Sequence, residues 1–126
     1  MTFAEVLKDN SQILAKYCTV DELDITSEVQ VSTVLNDFKP DFIINAAAYT
    51  AVDLAEKEKE KAFLVNSKGV LNLAEASTRI GAKLVQISTD YVFSSDCEVC
   101  EPYLEEDETR PLSVMVLQSL RVRVLL

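Results

Sequence analysis

Two short segments of the sequence place small, hydroxyl and carboxylate residues directly after an apolar run. They are Asn45-Ala-Ala-Ala-Tyr-Thr50 and Ser88-Thr-Asp-Tyr-Val-Phe93. In the second, Thr89 offers a hydroxyl and Asp90 a carboxylate, a pair that suits a site for holding and polarising a carbonyl or a sugar hydroxyl. The alternative is structural, because turn-forming side chains of these types also bond their own backbone.

The first segment contains three consecutive alanines, Ala46, Ala47 and Ala48. They form a wall without bulky side chains, against whose backbone a flat ligand could lie. The alternative interpretation is close packing of a helix on a sheet, which also favours small residues. Neither interpretation excludes the other from this segment alone.

The elements that position these segments begin with a short helix predicted over residues 3 to 9 and a buried strand over Gln12 to Tyr17. Ser27 and Gln30 have the spacing of a capping box. The apolar positions that follow recur at helical intervals until Lys39-Pro40 ends the helix. Asp41 to Asn45 is then predicted to be a parallel strand that is buried on both faces.

The chain from Val52 to Arg79 is helical in character. One apolar stripe runs along it: Ala62, Val65, Gly69, Leu73, Ala76 and Ile80. The alternating charges of Glu56 to Lys61 indicate a solvated helix start with local ion pairs, or alternatively a partner site. Gly81 is predicted to cap the helix, and Lys83 to Ser88 to form a second buried strand.

The alternation of helices and strands predicts an α/β fold with a doubly wound parallel sheet. In such sheets ligands bind at the carboxyl ends of the strands. Both segments introduced above follow predicted strands, so both are candidate parts of one binding site.

Composition limits the possible classes of protein. The 126 residues, 48% of them hydrophobic, suffice for one compact domain. There is no apolar run of the roughly 20 residues that a membrane span needs and no signal-peptide pattern at the start, so we expect a soluble, cytoplasmic protein without a membrane partner. The net charge of -9 argues against a general nucleic-acid binder.

The cysteines and glycines exclude two kinds of site. Cys18, Cys97 and Cys100 occur without any histidine, which predicts structural thiols and no metal site. The only glycines are Gly69 and Gly81, so the sequence contains no Gly-rich phosphate-binding loop.

Taken in order, several segments resemble the dTDP-4-dehydrorhamnose reductase family of extended short-chain dehydrogenases. The resemblance covers roughly residues 21 to 113. It is carried by Glu22-Leu-Asp-Ile-Thr26, Pro40 to Asp53 with its Asn-Ala-Ala-Ala-Tyr-Thr run, Val65-Asn66, Ile87-Ser-Thr-Asp-Tyr-Val-Phe93, and Pro102-Tyr103 through Pro111-Leu112.

The resemblance implies a Rossmann-like domain that binds NADPH or NADH and a nucleotide-sugar substrate. A hydride would pass to the C4 keto group of dTDP-4-dehydro-L-rhamnose, giving dTDP-L-rhamnose for polysaccharides. It implies that the cofactor is contacted by Asp24 and Ile25 near the adenine and by Ala46, Ala47, Ala48 and Tyr49, with Asn66 structural nearby. It implies that the substrate is faced by Thr50, Val52, Asp90 and Tyr91, and that Thr89 is the hydroxyl member of a catalytic Thr/Tyr/Lys set.

The sequence also departs from the family pattern. It lacks the Gly-x-x-Gly-x-x-Gly turn, and Met115 stands where the family's tyrosine is expected, without a lysine in Val116 to Leu120. We therefore expect residues 1–126 to be a partial domain, truncated at both ends, with a divergent tail over residues 114–126. Without the tyrosine and lysine, the chain alone is expected to be inactive.

Two other functions remain open at this point. The chain could be a non-catalytic regulatory or binding protein, since the regulatory subunit of methionine adenosyltransferase resembles the same family. It could also be a fragment without a present function.

Overall fold

The computed structural model describes residues 10, 12–55 and 57–89, together with the single positions Glu5 and Leu104; for Val52 and Asp53 it describes the backbone only. The predicted helix over residues 3 to 9 lies outside this part of the chain, except for Glu5, which is helical. The described elements are, in order, α1 (Glu28–Phe38), β1 (Phe42–Asn45), α2 (Val52–Ala55), α3 (Lys59–Phe63), a π-helical turn (Leu64–Gly69), α4 (Val70–Ile80) and β2 (Lys83–Gln86).

Helix α1 begins and ends where the sequence predicts. The Ser27 side chain accepts a hydrogen bond from the backbone N–H of Gln30 at 3.4 Å, which caps the first turn. The capping box is only half formed, however, because the Gln30 side chain accepts instead from the N–H of Asp24, at 3.0 Å. At the other end Lys39 adopts a left-handed conformation (φ 49°) and its N–H donates to the carbonyl of Leu35.

Strands β1 and β2 pair in parallel, with Phe42 opposite Lys83 and Asn45 opposite Gln86. Parallel neighbours need a long crossover, because the chain must return to the other end of the sheet before the second strand can begin. Residues 46–82 provide that crossover, so the two strands and the helices between them form a β-α-β unit. The predicted parallel arrangement is confirmed.

The crossover is not one continuous helix. Its elements are α2, α3, the π turn and α4, and the last three follow one another without a break from Lys59 to Ile80. The predicted apolar stripe is confirmed, since its members are buried or partly buried. Gly81 ends α4 with a φ of 74°, the conformation that glycine adopts at least cost.

The core lies on one face of the sheet. Its buried members are Ile25, Val31, Leu35, Leu73 and Ala76, with Ile43 and Leu84 packed against them from the two strands. Side chains alternate along a strand, so the next residues point to the opposite face. Within the described part of the chain that face is open, and Phe42 is 62% exposed.

The prediction that β1 is buried on both faces is therefore wrong, and the second strand, predicted to be buried, is partly buried on one face only. Ile44, Val85 and Ile87 are also exposed, on the same side as Phe42. The cause is that, among the described elements, α1 and α4 both pack on the Ile43 side of the sheet. A run of β-branched and aromatic residues identifies a strand, but it does not reveal whether helices cover one face or two.

The prediction of a buried strand over Gln12 to Tyr17 is also wrong. These residues form no strand and all are exposed, Leu14 by 84%. In the described residues β1 and β2 pair only with each other, so Gln12 to Tyr17 have no neighbouring strand to complete their backbone hydrogen bonds.

None of the described helices is long and apolar enough to cross a bilayer.

The π turn brings a helix into close contact with the loop that precedes α1. A Cβ placed on Gly69 would lie 2.7 Å from Cγ1 and 2.8 Å from Cδ1 of Ile25. Both residues are buried, so neither side of this contact has free space. Glycine is therefore required at this position for the loop to approach the helix.

We predict that Gly69→Ala lowers the free energy of unfolding, although alanine normally stabilises a helix interior by about 1 kcal/mol relative to glycine. The contact with Ile25 costs about 1–3 kcal/mol, in the range of overpacked cores. In an Ile25→Ala background the new methyl group at position 69 has room, so Gly69→Ala should raise the free energy of unfolding there. Urea unfolding measures the change in both backgrounds. Equal effects in the two backgrounds would contradict the contact.

Candidate functional site at the carboxyl ends of the strands

The carboxyl ends of β1 and β2 are joined by a side-chain hydrogen bond. Asn45 Nδ2 donates to Gln86 Oε1 at 2.7 Å, and the N–H of Ile87 donates to the carbonyl of Asn45 at 3.1 Å. The Asn45 side chain is buried, and its Oδ1 accepts from the N–H of Ala47 at 3.1 Å. The loops that follow the two strands therefore start side by side at one edge of the sheet.

The alanine wall begins at this edge. Ala46, Ala47 and Ala48 are all exposed, so the alternative of close helix-to-sheet packing does not describe them. Because Asn45 Oδ1 holds the N–H of Ala47, the start of the wall is fixed by a buried side chain and not by the packing of its own methyl groups. An exposed backbone segment that is held in place by a hydrogen bond and carries only small side chains is a suitable surface for a flat ligand.

Tyr49 is held by Asn66, which the family resemblance implies to be a structural residue near the cofactor. Asn66 Oδ1 accepts from the N–H of Tyr49 at 2.8 Å, and Asn66 Nδ2 donates to the carbonyl of Tyr49 at 3.1 Å. Asn66 is buried in the π turn. A π turn is a common way to direct a side chain toward a functional site, and here it directs an amide at the backbone of the loop.

The Tyr49 ring is held from the other side by the charged segment that precedes the π turn. Its hydroxyl donates to Glu58 Oε2 at 2.8 Å, Lys61 Nζ lies 3.3 Å from the same oxygen, and Lys61 Nζ is 5.7 Å from the ring centroid. The predicted local ion pair in Glu56 to Lys61 is thus confirmed, and one of its members also contacts a candidate site residue. The hydrogen bond from Tyr49, followed by Lys61, lowers the pKa of Glu58.

Asp24 and Ile25 lie in the loop before α1. Asp24 Oδ1 accepts from the N–H and from the hydroxyl of Thr26, at 2.9 and 2.8 Å, so the carboxylate stabilises its own turn. The Ile25 side chain belongs to the core. Any contact of Ile25 with a ligand would therefore involve its backbone or the small exposed part of the side chain.

The structure describes only some of the remaining predicted site residues. Thr50 is exposed after the alanine wall, and Val52 opens α2. Thr89 is partly buried and lies three positions after the last residue of β2. Asp90 and Tyr91 lie outside the described residues. Within the part of the chain that the structure covers, no group of three or more Cys, Asp or Glu residues is arranged to hold a metal ion.

Comparison with known proteins assigns the chain to a family. The family model described as the RmlD substrate binding domain matches residues 3–120. The chain belongs to the RmlD family. Its resemblance to dTDP-4-dehydrorhamnose reductases, inferred from the sequence, is confirmed.

Relatives of this RmlD-family chain are longer than it is. A dTDP-4-dehydrorhamnose reductase from Aggregatibacter actinomycetemcomitans is 43% identical over 113 residues, which is 90% of this chain and 38% of that protein. One from Mycobacterium tuberculosis is 38% identical over 93% of this chain and 38% of that protein. The chain thus spans about two fifths of the length of these relatives.

Solved structures confirm the Rossmann-like α/β fold of this RmlD-family chain. A dTDP-4-dehydrorhamnose reductase from Clostridium acetobutylicum superposes with a TM-score of 0.87 at 40% identity, over 95% of this chain and 42% of that one. The reductase from Bacillus anthracis, solved in complex with NADP, gives a TM-score of 0.79 at 41% identity, over 85% of this chain and 38% of that one.

Three contacts of the site were not predicted from the sequence of this RmlD-family chain. They are the Asn45–Gln86 hydrogen bond, the Glu58 hydrogen bond to Tyr49, and the contact of Asn72 with the Asp24 loop. Asn72 carried a signal, since asparagine is a poor helix former and stands beside the apolar stripe. The other two depend on tertiary contacts that have no local sequence signature.

We predict that Tyr49 ionises above its ordinary pKa of 10.0, because the hydrogen bond to Glu58 stabilises the neutral hydroxyl. This hydrogen bond stabilises the folded state fully below the unfolded-state pKa of tyrosine. That contribution to stability is lost as the pH rises through the higher folded-state pKa. Absorbance titration of the wild type, after subtraction of Tyr49→Phe, isolates this group.

In Glu58→Ala the Tyr49 pKa should fall back toward its ordinary value. Glu60→Ala removes a neighbouring carboxylate with no described bond to Tyr49, so it should leave the pKa nearly unchanged. An unchanged Tyr49 pKa in Glu58→Ala would show that the bond does not form in solution.

Proposed function

We propose that this chain supplies one half of the cofactor and sugar site of a dTDP-4-dehydrorhamnose reductase. The observation that carries the proposal is the exposed alanine wall at the edge where the loops after β1 and β2 meet. Ligands of parallel α/β sheets bind at such an edge. The B. anthracis relative, 41% identical, is a dTDP-4-dehydrorhamnose reductase solved with NADP, which supports NADPH or NADH as the ligand.

The residues present fit part of a dinucleotide. Ala46 to Ala48 leave the space that larger side chains would fill, and Asp24, Ile25 and Tyr49 complete the proposed cofactor contacts. No glycine-rich turn occurs in the sequence to receive the pyrophosphate, since its only glycines are Gly69 and Gly81. We therefore propose weak binding through the adenosine and nicotinamide ends.

In a complete site of the family, the chemistry would be reduction of the keto group of dTDP-4-dehydro-L-rhamnose, for which a bound NADPH would supply the hydride. Thr89 would donate a hydrogen bond to the carbonyl oxygen and so polarise it. Thr50, Val52, Asp90 and Tyr91 would position the sugar.

The proton for the new hydroxyl needs a donor that this sequence does not provide in the family's form, because no tyrosine is followed four positions later by a lysine. We therefore propose a binding role, without turnover by this chain alone. We also propose that it acts in the cytoplasm, where nucleotide sugars and reduced nicotinamide cofactors are available.

The test is thermal unfolding of the purified chain, followed by circular dichroism, without and with millimolar NADPH. Ligand binding to the native state should raise the midpoint. A cooperative transition that is indifferent to NADPH and NADH would contradict cofactor binding. NADPH oxidation in the presence of the keto sugar, well above the rate in buffer, would contradict the proposed lack of turnover.

We predict that Ala47→Leu abolishes most of the NADPH-induced rise in midpoint and leaves the midpoint without ligand nearly unchanged, because Ala47 is exposed and its side chain supports no core contact. Thr33→Leu, on the exposed side of α1, is the matched control and should keep the full rise. The same rise in both variants would show that the alanine wall does not face the cofactor.

A further inference from the structure

The side chain of Asn72 is completely buried in the middle of the crossover helix, with an exposed fraction of 0%. Its Nδ2 donates two hydrogen bonds, to the carbonyl of Ile25 at 3.0 Å and to the carbonyl of Thr26 at 3.2 Å. The loop before α1 is thereby attached to α4, 46 and 47 positions later in the sequence.

This arrangement is costly for stability alone. Asn72 Oδ1 is buried and has no hydrogen-bond partner in the described part of the chain. An unsatisfied buried acceptor costs about 1–3 kcal/mol, which offsets much of what two ordinary hydrogen bonds contribute. The benefit that distinguishes asparagine here from an apolar residue is the fixed position of the two loop carbonyls.

The same loop is fixed from three further directions. Gly69 allows the Ile25 side chain to approach the helix, the Gln30 side chain accepts from the N–H of Asp24, and the Asp24 carboxylate binds Thr26. Within the described part of the chain, the side-chain hydrogen bonds of this loop come from α1, from α4 and from the loop itself. The geometry of the loop therefore depends on the crossover helix and on α1.

Asn66 and Asn72 lie six positions apart on this continuous helical segment and hold different loops. Asn66 holds Tyr49 at the end of the alanine wall, and Asn72 holds the loop that contains Asp24. Tyr49 follows the carboxyl end of β1, and α1 leads to the amino end of the same strand, so the start of α1 and the loop before it lie toward the carboxyl edge. Both amides therefore hold loops on the side of the sheet where the proposed ligand site lies. One helical segment thus sets the separation of two loops that would contact opposite ends of one dinucleotide.

We propose that Asn72 is a positioning residue for the adenosine half of the cofactor. It acts through the Asp24–Thr26 loop and does not itself touch the ligand. The proposal rests on the proposed function, and it adds the residue that determines the geometry of one subsite.

The test compares two probes, NADPH and reduced nicotinamide mononucleotide, which lacks the adenosine part. Their dissociation constants are measured by nicotinamide fluorescence for the wild type and for Asn72→Leu. We expect Asn72→Leu to weaken NADPH binding about three- to tenfold, as expected when a buried hydrogen bond is lost, and to leave mononucleotide binding within about twofold. Asn36→Leu, which replaces an exposed asparagine of α1, should change neither constant.

Asn72→Ser is a second variant, since it retains a small hydrogen-bond donor should leucine prevent folding. For it, amide hydrogen exchange at Thr26 and Ser27 should be faster than in the wild type, and NADPH should again be weakened more than the mononucleotide. An equal loss for both probes in the variants would reduce Asn72 to a general structural role and overturn the proposal.

The outcomes also separate this inference from the proposed function. Wild-type binding of NADPH with the same affinity in Asn72→Leu would overturn the role of Asn72 and leave the cofactor site standing. Failure of the folded wild type to bind either probe would overturn the proposed function and this inference with it.

Discussion

The parallel pairing of β1 with β2 is the constraint on which the described structure depends. A parallel neighbour cannot follow through a tight turn, so residues 46–82 must cross from one end of the sheet to the other. That crossover creates the exposed alanine segment at its start and covers one face of the sheet with helix. It also carries the two asparagines that hold the neighbouring loops. The location of the candidate site is thus set by the crossover connection between the two parallel strands, and its side chains act within that frame.

Three buried asparagines help to fix this edge, beside the carboxylates of Asp24 and Glu58. Asn45 spans the two strands, Asn66 binds the backbone of Tyr49, and Asn72 binds the loop before α1. An amide can donate and accept at once, and it can be buried without the large desolvation penalty of an ion. The loops are therefore positioned through their backbones, which leaves the methyl groups of the alanine wall free to face solvent or a ligand.

How much of this the sequence predicts depends on whether the signal is local. The cap at Ser27, the stop at Lys39-Pro40 and the turn at Gly81 are set by neighbouring residues, and all three occur as predicted. The family was likewise predictable, and so was the position of Ala46 to Thr50 after β1 and of Ser88 and Thr89 after β2. The open face of the sheet, the exposed Gln12 to Tyr17 and the π turn were not, because each depends on which distant elements pack against the segment. The Gln30 side chain shows the same dependence on tertiary contacts within one motif, because it accepts from the N–H of Asp24 and not from that of Ser27, as a capping box requires.

The π turn at Leu64–Gly69 has a consequence for the evolution of chain length. A π turn contains about one residue more than the α-helical turn it replaces. Deleting that one residue would restore a regular α-helix with nearly the same rotation about the axis, so the preceding segment would keep its orientation relative to α4. Ala62 would then stay in the core, and only the residues inside the turn, Asn66 among them, would change direction. The chain can therefore change in length by one residue here without rearranging its core, but it would lose the hold of Asn66 on the Tyr49 backbone.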